Sequence, residues 1–328
     1  MNSGPSSRST STHEEVTSLE RFLGRHHEFV KLSGGRGVAY NMTDYAKQSV
    51  AMYQELTGVT KLRKASTPFV PDGSLTSADD KEQGEVAKHA CAIIMKLLWL
   101  ARLARPDLIK PISDLATKVQ AWTRNHDKML YRLVCYVNDI SHYMGGGHIH
   151  DSPDKLSMKL FVDADFAGDR DDAKSTSGSF LAIVGPNSFF PVQWASRKQT
   201  SVSRSTTESE VVSLAAGMFG EALPALNLFD LILGRDCPLD ICEDNQATIR
   251  VIKNGYSNKL RHINRTHKVN VASLSEVIEE SGYSLSYIDT KEQAADIFTK
   301  ALPAQHWESA LSMLGMITNG DQLEKWGS

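Results

Sequence analysis

Lys159-Leu160-Phe161-Val162-Asp163 is the stretch on which the reading of this chain turns. Its alternation of polar and apolar residues predicts a β-strand that ends in an acid. Asp165, two residues further on, falls on the same strand face as Asp163. Three more acids stand at the margins of predicted elements. Glu210 lies early in a helix opened by Ser205-Thr206-Thr207, Asp244 follows the strand-like run Leu239-Asp240-Ile241-Cys242, and Asp296 opens a late helix. Four carboxylates gathered in one cleft cannot all stay ionised unless cations sit among them. Oxygen-only ligands favour Mg²⁺ or Mn²⁺, and two such ions ~4 Å apart are suited to in-line phosphodiester hydrolysis.

The chain has 328 residues and a net charge of −3, so it is long enough for two cores and carries no overall basicity. Any nucleic-acid contact must therefore come from local patches. Cys91, Cys135, Cys237 and Cys242 form no Cys-x-x-Cys pair and read as reduced thiols without a metal role. The apolar stretch Ala90–Ala104 is interrupted by Lys96 and Arg102 and is too short for a bilayer, so it predicts a buried amphipathic helix and no membrane partner.

Upstream, Phe29-Val30-Lys31-Leu32 and Gly37-Val38-Ala39-Tyr40 flank Ser33-Gly34-Gly35-Arg36, a hairpin pattern. Helices are expected over 42–57 (with Thr43 or Asp44 as cap), 82–104, 112–124 and 128–143, and a loop over 67–77. Gly145-Gly146-Gly147 suggests a linker over 145–156, and His148-Ile149-His150-Asp151 within it carries no metal expectation. Downstream, strands are expected over 159–164, 178–184, 190–196, 239–242 and 284–288, with helices between the later ones. Residues 1–18 are expected to be a disordered tail and 317–328 a C-terminal tail, with the downstream unit over 157–316.

The motifs are more specific than the pattern. Phe161-Val162-Asp163-Ala164-Asp165-Phe166-Ala167-Gly168, Ser175-Thr176-Ser177-Gly178, Trp194-Ala195-Ser196-Arg197-Lys198-Gln199, Ser205-Thr206-Thr207-Glu208-Ser209-Glu210, Glu243-Asp244-Asn245-Gln246-Ala247 and Ala295-Asp296-Ile297-Phe298-Thr299-Lys300 follow one another in that order. Together they resemble the ribonuclease H domain of copia-type LTR retrotransposon polyproteins. Residues 19–144 resemble the thumb and connection of the same family's reverse transcriptase, through Phe22-Leu23-Gly24, Thr67-Pro68 and Leu100-Ala101-Arg102-Leu103-Ala104-Arg105-Pro106-Asp107. The polymerase's Tyr-x-Asp-Asp motif does not occur in the chain.

The resemblance implies an α/β fold, with a ribonuclease-H-like mixed five-stranded sheet flanked by helices. A smaller, mainly helical α+β connection segment precedes it. It implies Asp163, Glu210, Asp244 and Asp296 as catalytic ligands of two Mg²⁺ (or Mn²⁺) ions, and the RNA strand of an RNA–DNA hybrid as substrate. Ser205, Thr206, Thr207, Asn245, Gln246, Arg197 and Lys198 are then expected to contact nucleic acid, and His262 or His267 to assist. Glu208, in the same polar run as Glu210, is expected to cap its helix. The remaining polyprotein or a reverse transcriptase subunit is the expected partner. The cytoplasm is the expected compartment, or a virus-like particle for an active element, with the nucleus as alternative. A catalytically inactive or domesticated nucleic-acid-binding remnant is the competing reading. A transposase or integrase is disfavoured, because there the Glu comes last in the chain.

Overall fold

The computed structural model describes residues 20–169 and 172–318. The expected tail over 1–18, and 319–328 of the C-terminal one, lie outside these residues. The chain opens with strands β1 (Arg21–Phe22), β2 (Arg25–Leu32) and β3 (Gly35–Asn41). Gly34, at φ +87°, closes the two-residue turn between β2 and β3 at the predicted hairpin, a left-handed conformation that glycine adopts without strain. Helices α1 (Thr43–Thr57), α2 (Ala87–Leu103), α3 (Ile109–Ala116) and α4 (Arg124–Asp139) follow.

The helix starts differ from the sequence reading for identifiable reasons. The cap of α1 comes from Asn41, whose Oδ1 accepts the Thr43 N–H at 2.9 Å, and not from Thr43 or Asp44. The α2 helix begins at Ala87 instead of 82, where Asp127 accepts the N–H groups of Glu85 and Val86 at 2.6 and 3.2 Å. That cap sits more than forty residues away in sequence. A capping box between Thr123 and His126 starts α4 at Arg124, ahead of the expected 128. The helix expected over 112–124 ends as α3 at Ala116, with a single 3₁₀ turn at Val119–Ala121 after it.

The expected linker is instead the strand β4 (Met144–Ile149). It pairs with β3 along Arg36↔Ile149 to Tyr40↔Gly145, and with the later strands β7 (Ser188–Lys198) at His148↔Phe189 and β10 (Met316–Ile317) at Met316↔Gly145. Residue 317, expected to begin a tail, therefore belongs to the sheet. The glycines serve close approach. A Cβ on Gly145 would lie 2.6 Å from the Ala104 carbonyl oxygen, and one on Gly147 would lie 2.7 Å from Phe190 Cα and 2.8 Å from the Phe189 oxygen. Gly147→Val is expected to cost about 3 kcal/mol, because the obstacles are backbone and cannot rotate away. Chemical denaturation measures this; an unchanged midpoint would refute it.

Strands β5 (Ser157–Asp165), β6 (Thr176–Gly185) and β7 form an antiparallel meander at the expected positions. β8 (Leu239–Glu243) lies parallel to β5, and β9 (Ser284–Tyr287) parallel to β8. The order β7-β6-β5-β8-β9 is a five-stranded mixed sheet, as expected. β1, the hairpin, β4 and β10 extend it to ten strands. Period-two alternation divides the core. Phe161, Phe180 and Cys242 face α1–α4 and the C-terminal helix on one side. Leu160, Val162, Leu181 and Ile241 face the other, where α5 (Thr206–Gly217), α6 (Leu223–Leu233), α7 (Gln246–Asn254), the short α8 (Ile263–Thr266) and α9 (Val271–Glu280) lie. A five-residue π segment, Met218–Ala222, joins α5 to α6. The joined run Thr206–Leu233 is long and apolar enough to cross a membrane by length and composition, and half of its apolar window is buried.

The N-terminal helices are locked to α10 (Ala304–Met313) by a buried polar chain. Arg105, 1% exposed, makes two hydrogen bonds to Asp107 at 2.8 and 2.7 Å and donates to the Ile140 carbonyl at 3.1 Å. Tyr136 donates to Asp107 at 3.0 Å, and Trp307 Nε1 donates to the Tyr136 oxygen at 2.8 Å.

Candidate metal centre

β5 and β8 pair as far as Phe161↔Cys242. Beyond that point a crevice opens at their carboxyl ends, the usual place for a site in sheets of this kind. Asp163 stands on one wall, 1% exposed, and Asp244 on the other. The third wall is the first turn of α5, which Ser205 caps by accepting the Glu208 N–H at 3.2 Å. Ser213 fixes this helix to the strand by donating to the Asp163 carbonyl at 2.6 Å. Glu210, 3% exposed, is thereby turned toward the crevice. One carboxylate oxygen from each of Asp163, Glu210 and Asp244 lies within 4.8 Å of the others.

Asp296 joins this group through a basic residue. Lys300 Nζ lies 3.1 Å from Asp163 Oδ1 and 2.8 Å from Asp296 Oδ1. Asp296 opens a 3₁₀ turn, Asp296–Phe298, so Lys300 is one helical turn on and reaches back over it. Thr299 Oγ1 donates to Asp163 Oδ2, and Thr290 Oγ1 donates to Asp244 Oδ2 at 2.8 Å. A fifth acid lies beside the four. Glu243, 0% exposed, accepts the Asn245 N–H at 3.0 Å, while its other oxygen has no partner. The sequence carried a signal for it: Leu239, Ile241 and Glu243 alternate along β8, so Glu243 shares the face that meets α5.

Burial without enough counter-charge favours the protonated form of Glu210, Glu243, Asp163 and Asp296. Burial, then the neighbouring Glu243, Asp163 and Asp244, push the Glu210 carboxyl up to about 11. Glu243 is raised well above the usual range by burial. Asp163 is raised by burial against the pull of Lys300. Asp296 rises to about 6, through burial and then Asp163. The Lys300 ammonium is held charged by Asp163 and Asp296 despite its own burial. Glu210 Oε2, like the free oxygen of Glu243, has no hydrogen-bond partner. An all-oxygen set with orphaned, buried carboxylate oxygens fits a hard divalent cation.

The other expected site residues have polar groups that are partly committed. Thr206 is exposed and Thr207 half-buried on the first turn of α5. Asn245 caps α7, accepting from Ala247 and Thr248, and Gln246 beside it is exposed. Arg197, its side chain 57% exposed, lies 3.3 Å from Glu221, while Lys198 is held by Asp169 at 2.6 Å and Asp172 at 3.0 Å. Asp165 is partly buried, and the charge of Lys110 opposes the upward push of burial on its carboxyl. His262 and His267 turn Nε2 to Glu208 Oε1 at 3.0 and 3.2 Å, so both bind the capping acid of α5. Glu208 also accepts the Arg204 N–H at 2.9 Å.

No family model matches the chain. Curated relatives are copia- and Ty1-type retrotransposon Pol polyproteins. The Retrovirus-related Pol polyprotein from transposon RE1 of Arabidopsis thaliana is 24% identical over 79% of this chain and 17% of its own length. That from transposon TNT 1-94 of Nicotiana tabacum is 26% identical over 80% and 18%. The transposon Ty1-DR6 Gag-Pol polyprotein of Saccharomyces cerevisiae is 26% identical over 82% and 16%. These relatives bear out the resemblance read from the motifs, and the chain spans less than a fifth of their length. Among solved structures, the foamy viral protease-reverse transcriptase in complex with RNA/DNA hybrid matches 66% of this chain and 27% of its own, at 15% identity and TM-score 0.37. The N-terminal RNase H domain of rv2228c from Mycobacterium tuberculosis matches 48% and 97%, at 9% identity and TM-score 0.30.

Proposed function

We propose that this chain is the ribonuclease H part of a retrotransposon Pol polyprotein, hydrolysing the RNA strand of RNA–DNA hybrids. The observation that carries this reading is the convergence of Asp163, Glu210 and Asp244 on one crevice, with Asp296 tied to Asp163 through Lys300. These four acids would hold a pair of Mg²⁺ or Mn²⁺ ions. When bound, the ions would supply a Lewis acid for the scissile phosphate and an activated water. Asp163 is pre-aimed by Thr299 and by the Ser213 anchor on its own carbonyl. Lys300 holds Asp163 and Asp296 together and places a positive charge where a phosphate would arrive. Thr206, Thr207 and Gln246 line the approach with groups able to read 2′-hydroxyls by shape and hydrogen bonding. No protein nucleophile is called for. Burial pushes the Cys242 thiol up to about 12 and raises that of Cys237, so neither is a thiolate at neutral pH.

The test is cleavage of a hybrid labelled on its RNA strand, with Mg²⁺, beside single-stranded RNA and duplex DNA. Mg²⁺-dependent cut products from the hybrid alone support the reading. A folded chain that binds hybrid with steep salt dependence and never cuts it would favour the inactive remnant, against which the complete acid set stands.

The protonation of the crevice gives an independent check. A carboxyl raised to about 11 contributes stability that is full below its ordinary value near 4.5 and lost as pH rises towards 11. The metal-free protein therefore retains the Glu210 proton at pH 7, and a cation must displace it. Titration with Mn²⁺ at pH 7 is expected to release about one proton per chain, measured calorimetrically in two buffers of different ionisation heat. Mg²⁺ should raise Tm more at pH 9 than at pH 7. Equal heats in both buffers would contradict the assignment of Glu210 as a ligand.

A further inference from the structure

A groove of about 420 Å³ runs between α2, α3 and β7, outside the carboxylate crevice. Arg102 from α2, Ser113 from α3, and Gln193, Trp194, Ser196 and Arg197 from β7 line it. Three observations mark it as more than a packing gap. Arg102 is exposed and makes no ion pair among the described residues. Ser196 is 7% exposed, yet its hydroxyl is buried without a hydrogen-bond partner. The β7 edge that faces away from β6 pairs with β4 only at Phe189, so from Pro191 onward it has no neighbouring strand among the described residues. Outward-facing main-chain N–H groups on that stretch are thus available to an acceptor. Trp194, half-buried, is fixed by its bond to the Ala101 carbonyl at 3.0 Å.

We propose that this groove is a nucleic-acid subsite that holds the sugar–phosphate backbone of one strand of the hybrid, away from the point of cleavage. The unpaired guanidinium of Arg102, that of Arg197 with Glu221 3.3 Å away, an unpartnered hydroxyl and outward-facing N–H groups are the equipment of phosphate recognition. Its place fits a strand that also visits the acids. Ser196 lies in one cross-strand row with Asp163, through Gly178. At ~4.8 Å per strand their backbones are roughly 10 Å apart. Thr299 and Phe298 cover Gly178 between them, so the bound strand passes along the rim of the sheet and not across its face. The proposal rests on the ribonuclease H reading for its ligand, and assigns the N-terminal helices a share in gripping it.

The experiment is binding, not turnover. Anisotropy of a fluorescent 20-base-pair hybrid is measured in EDTA across a salt series, for the wild type, Arg102→Ala, Arg102→Glu, Ser196→Val and, as control, Lys88→Ala on the opposite end of α2. Arg102→Ala is expected to weaken binding about tenfold and to lower the salt slope by about one. Arg102→Glu should weaken it further, Ser196→Val a few-fold, and Lys88→Ala less than twofold. Affinity and slope unchanged in both Arg102→Glu and Ser196→Val would overturn the subsite and leave the open β7 edge to a peptide strand. Arg102-dependent binding by a chain that never cleaves hybrid would keep the subsite and remove the ribonuclease reading. Cleavage by a chain whose binding ignores Arg102 would do the reverse.

Discussion

Asp163→Asn is expected to lower Mg²⁺-dependent cleavage of a labelled RNA–DNA hybrid by about three orders of magnitude, with no loss of fold. Loss of a ligand to a catalytic cation withdraws several kcal/mol of charge stabilisation, each ~1.4 kcal/mol being tenfold in rate. The fold survives because the exchange is isosteric and because Asp163 is a strained component of the metal-free protein. Its carboxyl is 1% exposed and raised by burial, and Asp244 pushes it further. Asparagine abolishes that penalty while keeping an acceptor for Thr299. The two readouts should therefore separate: activity collapses, while Tm without divalent cation stays equal or rises, and the Tm gain on adding Mg²⁺ shrinks. A variant that cuts at the wild-type rate would place the chemistry elsewhere. One that loses activity only through unfolding would show Asp163 to be structural.

Arg105→Ala should be the most damaging stability change in the N-terminal segment, at about 3–5 kcal/mol. The guanidinium is buried, and Asp107, Tyr136 and Trp307 form a chain whose charge it neutralises. Removing the cation alone leaves Asp107 as an unpaired buried carboxylate. Urea denaturation followed by tryptophan fluorescence reads this, because Trp307 ends the chain. The double replacement Arg105→Met with Asp107→Leu should cost less than the single one, since neither partner is then left charged. If the single and double variants lose the same stability, the pair contributes through packing and not through charge.

Much of the downstream sheet was legible because each strand wrote its burial into an alternating pattern, as Leu160 and Val162 against Phe161 and Asp163 show. The acids stand near element margins that the pattern also marks: Asp163 and Asp244 at the carboxyl ends of β5 and β8, Glu210 early in α5 and Asp296 opening its 3₁₀ turn. What escaped depends on partners distant in sequence. The α2 start is set by Asp127 from another helix, and no local propensity reports that. Three consecutive glycines read as a linker because their function, letting Ala104 and Phe190 pass close, exists only once those backbones have arrived. Glu243 draws no expectation as a neighbour of Asp244 in its motif, although strand alternation turns it inward. Lys300 stood inside a quoted motif, yet only its geometry shows it spanning Asp163 and Asp296. His262 and His267 were expected near the chemistry, and their pull toward Glu208 follows from a fold contact across more than fifty residues.

β4 has a practical consequence for anyone who wants the downstream unit as a portable module. Cutting at Gly145-Gly146-Gly147 would not separate two finished pieces. It would strip β10 of its partner and take away the helices that cover Phe161, Phe180 and Phe298. The isolated downstream fragment would present that aromatic layer and a longer bare strand to its own copies, the combination that drives precipitation. Transplanting that unit therefore calls for carrying residues from the hairpin onward, and trimming is better directed at surface turns than at the most glycine-rich point of the chain.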